Sequence, residues 1–521
     1  MTGYVQKALN QIAAELPIVA CQPAELPETP VRAVTFDSRQ VQPGTIFVAT
    51  IGGTTDGHKF IPAAIEKGAI AVIGTQPLMG IAVPYLQVPD SRAALAWVAA
   101  ALYDFPGRDL RVIGVTGTDG KTTTSNLIYQ ILLSAGVRVG VISTVNAVIG
   151  DEVVDTGFHV TTPEAPDVQR YMARMVAAGL THVVLETTSH GLVQHRVTGC
   201  EFDIGVLTNI THEHLDYHGT YEAYRDAKAL LFSGLEKTHD KAIGNLRLSV
   251  LNYDDKSYPF LHEIVKTPQI SYGLGAGADI TAEDVRYSPS GLCFTAVGGG
   301  HRFEIKSSLV GQYNVSNCLA AASAALFGLE MDVEDVQRGI ATLRGVPGRM
   351  ERIQAGQDFL AIVDFAHTPN ALKVTLQAAR QMTEKRVIAV FGAAGLRDRQ
   401  KRHMMAEISA KLADITILTA EDPRTESLDS ILAEMAKAAS EAGGVEGTTY
   451  FRVPDRGEAI RLGVKLAQAG DIVISCGKGH EQSMCFGETE FAWDDRTAMR
   501  AALAERLGTS GPAMPYLPTQ G

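Results

Sequence analysis

The chain has 521 residues, 45% hydrophobic and 20% charged, with a net charge of −12. That balance suits a soluble globular protein of about three domains at roughly 150 residues each, and it leaves no electrostatic footprint for nucleic acid. Six cysteines (Cys21, Cys200, Cys293, Cys318, Cys476, Cys485) form no C-x-x-C pair, which argues against a zinc site or a disulfide framework. The opening MTGYVQKALNQIAAELPIVA lacks a basic stretch followed by a sustained apolar run, and no segment of about 18 apolar residues occurs. A cytoplasmic chain without membrane insertion is expected.

In chain order, a short helical stretch precedes the strand-like runs VRAVTFDS, GTIFVAT, AIAVIG and YLQV, separated by turn residues such as Pro43-Gly44 and Gly52-Gly53. Between two of them, HKFIPAAIEKGA carries apolar residues at helical spacing. This predicts a small α/β domain, rich in β-hairpins over Asp37 to Ile61, that ends near Pro106-Gly107. From Leu110 the apolar run LRVIGVTG stops at a glycine loop, and TTTSNLIYQILLSAG then reads as a helix. The further strand candidates VRVGVIST, THVVLETT and FDIGVLTNI alternate with the helical APDVQRYMARMVAAG and YEAYRDAKALLFSGL. That alternation predicts a parallel, doubly wound sheet, with a β-rich excursion from about Ile270 to Ile305. Around Gly345-Val346-Pro347-Gly348 a third unit begins, in which FLAIVDFA, RVIAVFGA, ITILTA and DIVISCG are each expected to lead into a helix. Three α/β domains follow from this pattern: 1–107, 108–345 and 346–521.

The strongest local signal is GVTGTDGKTTT, Gly114 to Thr124, placed between a buried strand and a helix as a phosphate loop requires. Gly117 and Gly120 permit the tight turn, and the amides of Thr118, Asp119 and Thr123 can face phosphate oxygens at a helix N-terminus. Lys121 can reach the β- and γ-phosphates of ATP, and the Thr122 hydroxyl can serve magnesium. The general pattern wants its first glycine at position 115, where this chain has Val115. The form G-T-x-G-K-[ST] instead resembles the loop of the Mur ligase family. Taken with the motifs below, the chain resembles that family from about Asp37 to Arg496, and within it the tripeptide synthetases of peptidoglycan precursors. The resemblance implies a three-domain architecture: an N-terminal UDP-substrate domain, a central P-loop ATPase-like doubly wound sheet, and a Rossmann-like C-terminal domain.

DSRQVQPGTIFVATIGGTTDGHKFI, from Asp37, is similar to the family's uridine-diphosphate-binding segment, and Ser38 is the implied uridine contact. In TTPEAPDVQ, Thr161 and Thr162 match substrate-contacting positions, although two hydroxyls at a strand-to-helix junction would serve equally as a plain N-cap. LETTSHGLVQHRVTG places Glu186 at a strand end, where the family holds magnesium, and aligns Thr188, Gln194 and Arg196 with substrate contacts. The family usually has Ser at position 188. His190 and His195 read as partly buried structural histidines. In TNITHEHLDYHGTYEAYRDAKALLF, His214 resembles a second-metal ligand and Lys228 the lysine that CO2 converts to a carbamate. Without the family, Lys228 would read as a surface lysine on a helix. GQYNVSNCLAA and VPGRME suggest Asn314 and Arg349 as nucleotide contacts, and VDFAHTPNAL turns Asp364 and His367 toward the nucleotide.

Three further motifs bear on the acceptor amino acid. FGAAGLRDRQKR has Leu396 where the family has aspartate, but it keeps Arg397 as the implied carboxylate ligand; Lys401 and Arg402 read as a solvated helix face. In AEDPRTES, Glu421, Asp422, Pro423 and Arg424 stand where diaminopimelate-adding relatives carry D-N-P-R. Arg424 suits a distal carboxylate, whereas Asp422 in place of Asn adds an anion that favours a distal ammonium. CGKGHEQ brings Gly477 and Glu481 to acceptor positions, and its Lys478 lacks the following Ser or Thr of a second phosphate loop. The implied reaction is amide formation through an acyl phosphate, using ATP, Mg2+, UDP-N-acetylmuramoyl-dipeptide and a diamino acid (L-lysine, L-ornithine or meso-diaminopimelate), by a monomer. Candidates for the base that deprotonates the amine are His214, Glu186 and His367. Three rivals remain: a folylpolyglutamate-type ligase, opposed by the Asp37 to Ile61 segment; a P-loop kinase, distinguished by whether ADP release needs an amino acid; and a non-catalytic scaffold, opposed by Lys121, Glu186, His214 and Lys228.

Overall fold

Runs of Val, Ile and Ala bounded by Gly, Pro and Asp become the strands of four sheets in this computed structural model, which describes residues 7–52, 55–154, 161–211, 215–288 and 290–519. The chain divides into two units, Met1–Asp279 with Ala320–Val336, and Ile280–Leu319 with Gln337–Gly521.

The first unit opens with α1 (Leu9–Ala13) and the strands β1 (Ala20–Gln22), β2 (Ala33–Thr35), β3 (Thr45–Val48), β4 (Ala69–Gly74) and β5 (Tyr85–Gln87), in the order β1-β5-β4-β3-β2. The predicted hairpins are absent among the described residues. β2 and β3 pair in parallel, with Ala33 opposite Thr45, because the 36–44 loop returns the chain to the same end and contains no two-residue hairpin turn. α2 (Ile61–Glu66) packs on one face of this sheet, and α1 and α3 (Ser91–Leu102) pack on the other.

The same unit continues with β6 (Arg111–Thr116), α4 (Lys121–Ser134), β7 (Val139–Ile142), β8 (Ala147–Ile149), β9 (Glu152–Val154), α5 (Ala165–Ala177), β10 (His182–Glu186) and α6 (Ser189–Val193). β11 (Ile204–Leu207), α7 (Leu215–His218), α8 (Tyr221–Leu235), β12 (Leu248–Asn252), α9 (Tyr258–Ile264) and β13 (Gln269–Tyr272) complete it. The strand order is β13-β12-β11-β6-β10-β7-β8-β9, and all strands from β13 to β7 run parallel. The chain winds outward from β6 in both directions, so this is the doubly wound sheet that the sequence predicts. Glu186 lies beside Val115, and Leu207 lies beside Thr116, so the carboxyl ends of β6, β10 and β11 are level at the switch point where such sheets bind ligands.

The second unit begins with the antiparallel meander β14 (Ile280–Ser288), β15 (Gly291–Gly298) and β16 (His301–Ser307); α10 (Tyr313–Ser323) and α11 (Val333–Thr342) follow, each with residues assigned to both units. Its main sheet comprises β17 (Glu351–Ile353), β18 (Leu360–Asp364), β19 (Val387–Phe391), β20 (Ile415–Leu418), β21 (Tyr450–Arg452) and β22 (Ile472–Cys476). The order is β17-β18-β22-β19-β20-β21, parallel apart from the edge strand β17. α12 (Pro369–Met382), α13 (Arg399–Leu412) and α14 (Leu428–Glu441) cover one face; α15 (Arg456–Leu466) and α16 (Asp495–Leu507) cover the other. DIVISCG departs from the predicted strand-then-helix order. After β22 the chain makes the hairpin of β23 (Ser483–Phe486) and β24 (Thr489–Ala492) before it enters α16. Among the described residues no helix is long and apolar enough to cross a membrane.

Candidate active site

The loop between β6 and α4 is held open by bonds that the motif alone does not disclose. Gly117 has φ 151°, and a Cβ there would lie 1.8 Å from the Thr208 hydroxyl. Gly120, at φ 83°, is the left-handed residue that admits the chain to α4. Thr118 N–H donates to the Asn209 carbonyl at 2.7 Å, and Asp119 N–H donates to the Asn209 side chain at 3.0 Å. The Asp119 carbonyl accepts from Thr208 Oγ1 at 2.6 Å and from Asn209 Nδ2 at 3.0 Å. The Thr118 hydroxyl meets Tyr224 OH at 3.0 Å and accepts from Thr211 N–H. Thr208, Asn209 and Tyr224 therefore brace the loop, and the Thr118 and Asp119 amides, expected to face phosphate oxygens, are instead bonded to Asn209. The sequence reading passed over them, although all three lie inside the TNITHEHLDYHGTYEAYRDAKALLF motif.

Lys121 opens α4, and its Nζ donates to the Thr118 carbonyl at 2.8 Å, folded back over the loop. Thr122 and Thr123 are buried in the first helical turn. The Thr122 hydroxyl donates to Glu186 Oε1 at 3.0 Å, while Glu186 Oε2 accepts from Thr144 N–H at 2.9 Å. Glu186 is 1% exposed, with both oxygens engaged. Lys228 is equally buried, which corrects the surface-lysine reading: α8 turns it inward, its Nζ donating to the Gly117 carbonyl at 2.6 Å and lying 4.5 Å from the Tyr224 ring. His214 lies outside the described residues. Among the described residues no group of three His, Cys, Asp or Glu is placed to hold a metal ion. The Thr122 hydroxyl and Glu186 carboxylate are nonetheless the hard oxygen donors that magnesium takes beside phosphate oxygens and water.

Next to this loop, Thr162 Oγ1 donates to the Glu186 carbonyl at 3.1 Å and contacts Thr188 Oγ1 at the same distance. Thr188 caps α6 through Gly191 N–H, so its hydroxyl is used in the role a Ser would have. Arg196 donates to the Thr162 carbonyl at 2.9 Å, pairs with Glu164 at 2.9 Å and holds Gln194 Oε1, while Gln194 Nε2 donates to Tyr217 OH. Thr161 is half-buried beside this network. Ser38 stands apart from it, on the 36–44 loop, with its carbonyl bonded to Lys67.

In the second unit Asn314 is buried and donates to the Val310 carbonyl at 2.6 Å, and the Arg349 guanidinium covers the Phe365 ring at 4.3 Å. The motifs read for the acceptor meet at the carboxyl ends of β19, β20 and β22. Arg397 is exposed, on the loop that leads to α13. Arg402 does not lie on a solvated face as expected: it is fully buried, paired with Glu426 at 2.6 Å and Glu434 at 3.2 Å, because α13 packs that face against α14. Glu426 also accepts Leu396 N–H, so the pair anchors the loop that carries Arg397. Arg424 is half-buried, at φ 54°.

Lys478 is fully buried and pairs with Asp422, both oxygens at 3.0 Å, and with Glu481 at 2.5 Å. Burial alone would depress this ammonium, but Glu481 and Asp422 outweigh it and hold the group above its ordinary range. Asp422 is therefore not the free anion that the sequence suggests; Cys485 N–H also binds it, at 2.9 Å. One cation between two carboxylates still leaves one net negative charge, and an Asn at position 422 would remove it. Glu421 is 6% exposed, and its Oε2 rests against Gly477, where a Cβ would approach to 2.3 Å. Burial pushes Glu421 up to about 7 against the pull of Lys401, Arg456 and Lys478. His367 is half-buried, and desolvation with Lys401 nearby drives its imidazole down to about 3.

Three family models match the chain in order: Mur ligase family, catalytic domain, over 30–103; Mur ligase middle domain, over 115–325; and Mur ligase, glutamate ligase domain, over 348–479. A UDP-N-acetylmuramyl-tripeptide synthetase of Roseiflexus sp. (strain RS-1) is 43% identical over 94% of this chain and 98% of its own length. A UDP-N-acetylmuramoyl-L-alanyl-D-glutamate–2,6-diaminopimelate ligase of Geobacillus thermodenitrificans (strain NG80-2) is 41% identical over 91% and 95%. A solved structure of a ligase of that same description superposes with a TM-score of 0.65 at 33% identity, over 97% of this chain and all of the other. With the loop, the level strand ends and these matches together, the chain belongs to the Mur ligase family.

Proposed function

We propose that this ATP-dependent ligase joins a diamino acid to the D-glutamyl carboxylate of UDP-N-acetylmuramoyl-L-alanyl-D-glutamate in peptidoglycan biosynthesis. The observation that carries the reading is the braced loop 117–122, with Thr122 on Glu186 at 3.0 Å and the Lys228 Nζ on Gly117. Segment 1–107 takes the uridine end of the substrate through Ser38. Segment 108–345 takes ATP through Gly117 to Thr123 with Asn314, and the substrate's distal part through Thr161, Thr162, Thr188, Gln194 and Arg196. Segment 346–521 contributes Arg349 and takes the acceptor through Arg397, Glu421 to Arg424, Gly477 and Glu481. The protein works as a cytoplasmic monomer on small molecules, without nucleic acid or membrane insertion.

A carboxylate oxygen is a poor leaving group, and phosphorylation supplies a better one. The D-glutamyl carboxylate attacks the γ-phosphorus, ADP departs, and the acceptor amine displaces phosphate from the acyl phosphate through a tetrahedral intermediate. Lys121 and the amides in the first turn of α4 neutralise charge on the transferring group. Mg2+ held by Thr122 and Glu186, with His214, supplies further neutralisation when bound. Lys228 is carbamylated by CO2: its ammonium gives one proton to solvent, the amine lone pair forms the N–C bond as a C–O π bond opens, and a second proton leaves to solvent, so the carbamate nitrogen keeps one N–H for Gly117 and a buried cation becomes an anion. Labelled bicarbonate should give a carbamate carbon signal in the wild type and none in Lys228→Ala.

The net negative charge of Asp422, Lys478 and Glu481 favours a distal ammonium, so L-lysine or L-ornithine is turned over ahead of meso-diaminopimelate. Phosphate release is measured with ATP, Mg2+ and the UDP-dipeptide, adding one amino acid at a time. Stimulation by lysine or ornithine is expected, and Asp422→Asn should shift the preference toward meso-diaminopimelate. Stimulation of the wild type by meso-diaminopimelate alone would keep the ligase and reverse the acceptor assignment. No stimulation by any of the three would overturn the substrate.

A further inference from the structure

Resting on that ligase reading, we propose that Asn252 and Tyr272 are positioning residues for nucleotide binding, which fix Thr208 and through it the loop 117–122. Thr208 follows β11 and is buried, and its two polar ends serve different neighbours. Its hydroxyl donates to the Asp119 carbonyl at 2.6 Å, and the next residue, Asn209, takes both the Thr118 and the Asp119 amides. Its carbonyl accepts from Asn252 Nδ2 at 2.6 Å. The Tyr272 hydroxyl donates to the Leu207 carbonyl at 2.8 Å and lies 3.3 Å from that of Thr208, a shared bond. Ile210 N–H, two residues further on, donates to Asp255 at 2.9 Å. Residues at and just beyond the ends of β12 and β13 therefore hold the segment 207–210 on one side, and the loop is tied to it on the other.

The arrangement has no slack. A Cβ on Gly117 would lie 1.8 Å from Thr208 Oγ1, so a shift of Thr208 is passed directly to the loop. The Asn252 amide has one usable orientation: its Oδ1 accepts Asp254 N–H at 3.0 Å, which leaves Nδ2 to face the Thr208 carbonyl. Tyr272 stands on β13, opposite Asn252 and two strands away from β11. Neighbouring strands lie about 4.8 Å apart, so a donor as long as tyrosine is needed to reach past β12. A phenylalanine would fill the same buried space, and the hydroxyl adds only the bond to 207–208. Burial, with Asp255 and Asp254 nearby, holds the phenol well above its usual range, so it stays a donor. Lys121 and the first turn of α4 are the groups that meet phosphate in the proposed reaction, and their aim depends on residues 117–120 staying in place. Asn252 and Tyr272 touch neither; they act through Thr208. A loop that spends part of its time out of place binds nucleotide more weakly by that fraction.

The test is calorimetric binding of a non-hydrolysable ATP analogue with Mg2+, beside urea unfolding, for Tyr272→Phe and Asn252→Asp. Tyr272→Phe removes one hydroxyl and should weaken nucleotide binding about fivefold. Asn252→Asp keeps the acceptor for Asp254 but sets an anion against the Thr208 carbonyl, and should weaken it about tenfold or more. Affinity for the UDP-dipeptide should be unchanged in both. Ser249→Ala is the control: it breaks a buried bond of the same strand, to Thr267 at 2.8 Å, and should lower stability while nucleotide affinity stays at the wild-type value. In a Thr208→Val background, where the link to Asp119 is already cut, Tyr272→Phe should add little further loss. Variants at 252 and 272 that lose stability yet bind the analogue as the wild type does would overturn the inference. So would equal losses toward both ligands, an equal loss in Ser249→Ala, or full additivity with Thr208→Val. If Asn252→Asp does not fold, Tyr272→Phe decides alone. A wild type that binds no ATP analogue would instead sink the ligase reading itself.

Discussion

At the scale of single residues, the loop 117–122, read as the phosphate loop, depends on one missing side chain. The approach of Gly117 to Thr208 means that Gly117→Ala must displace a hydroxyl that also holds the Asp119 carbonyl. Overpacking of this kind costs about 1–3 kcal/mol, so ATP affinity should weaken by roughly tenfold or more in a nucleotide-binding titration. Lys121→Ala acts differently: the backbone cradle survives while the cation is lost, so turnover should fall by about 100-fold or more with the fold unchanged by circular dichroism. Normal turnover in that variant would contradict the mechanism. Both residues were legible in the sequence, because glycine and lysine at fixed spacing ahead of a helix have a local meaning. Asp422 was only half legible. Its charge was plain, but its bond to Lys478 joins residues 56 positions apart.

At the scale of elements, the carboxyl ends of β20 and β22 in the second unit are held by a buried ion pair. Arg456 at the start of α15 donates to Asp495 at the start of α16, to the Ala420 carbonyl after β20 and to the Cys476 carbonyl at the end of β22. Trp493 and Ser475 give Asp495 further bonds at 2.8 Å. Arg456→Leu leaves a buried carboxylate without its cation and should cost about 3–5 kcal/mol in urea unfolding. Turnover should fall as well, because Ala420 directly precedes Glu421 and Asp422. The strands β18, β19, β20 and β22, with a helix after each of the first three, were predicted in order, since their apolar periodicity is local. The parallel pairing of β2 with β3 and the hairpin after β22 were not. Direction of pairing is decided by where a connecting loop can return, and loop residues leave that open.

At the scale of the whole molecule, the chain's own residues assemble two clusters at strand carboxyl ends: the glycine loop 117–122 braced by Thr208 and Asn209, which we propose binds phosphate, and the buried charges around Lys478, which we propose face the acceptor. Removal of Mg2+ by a chelator should abolish phosphate release and its return should restore it, as Thr122 and Glu186 imply. The sequence by itself determined the α/β class, the doubly wound central sheet, the phosphate loop and the family, because each is written in short-range spacing. Tertiary structure alone decided which charges are solvated: Lys228 and Arg402 are buried, Asp422 is clamped, and Glu421 keeps an unbonded oxygen. The physical reason is that solvation and ion pairing belong to the three-dimensional neighbourhood, which brings together groups that the sequence keeps dozens of residues apart.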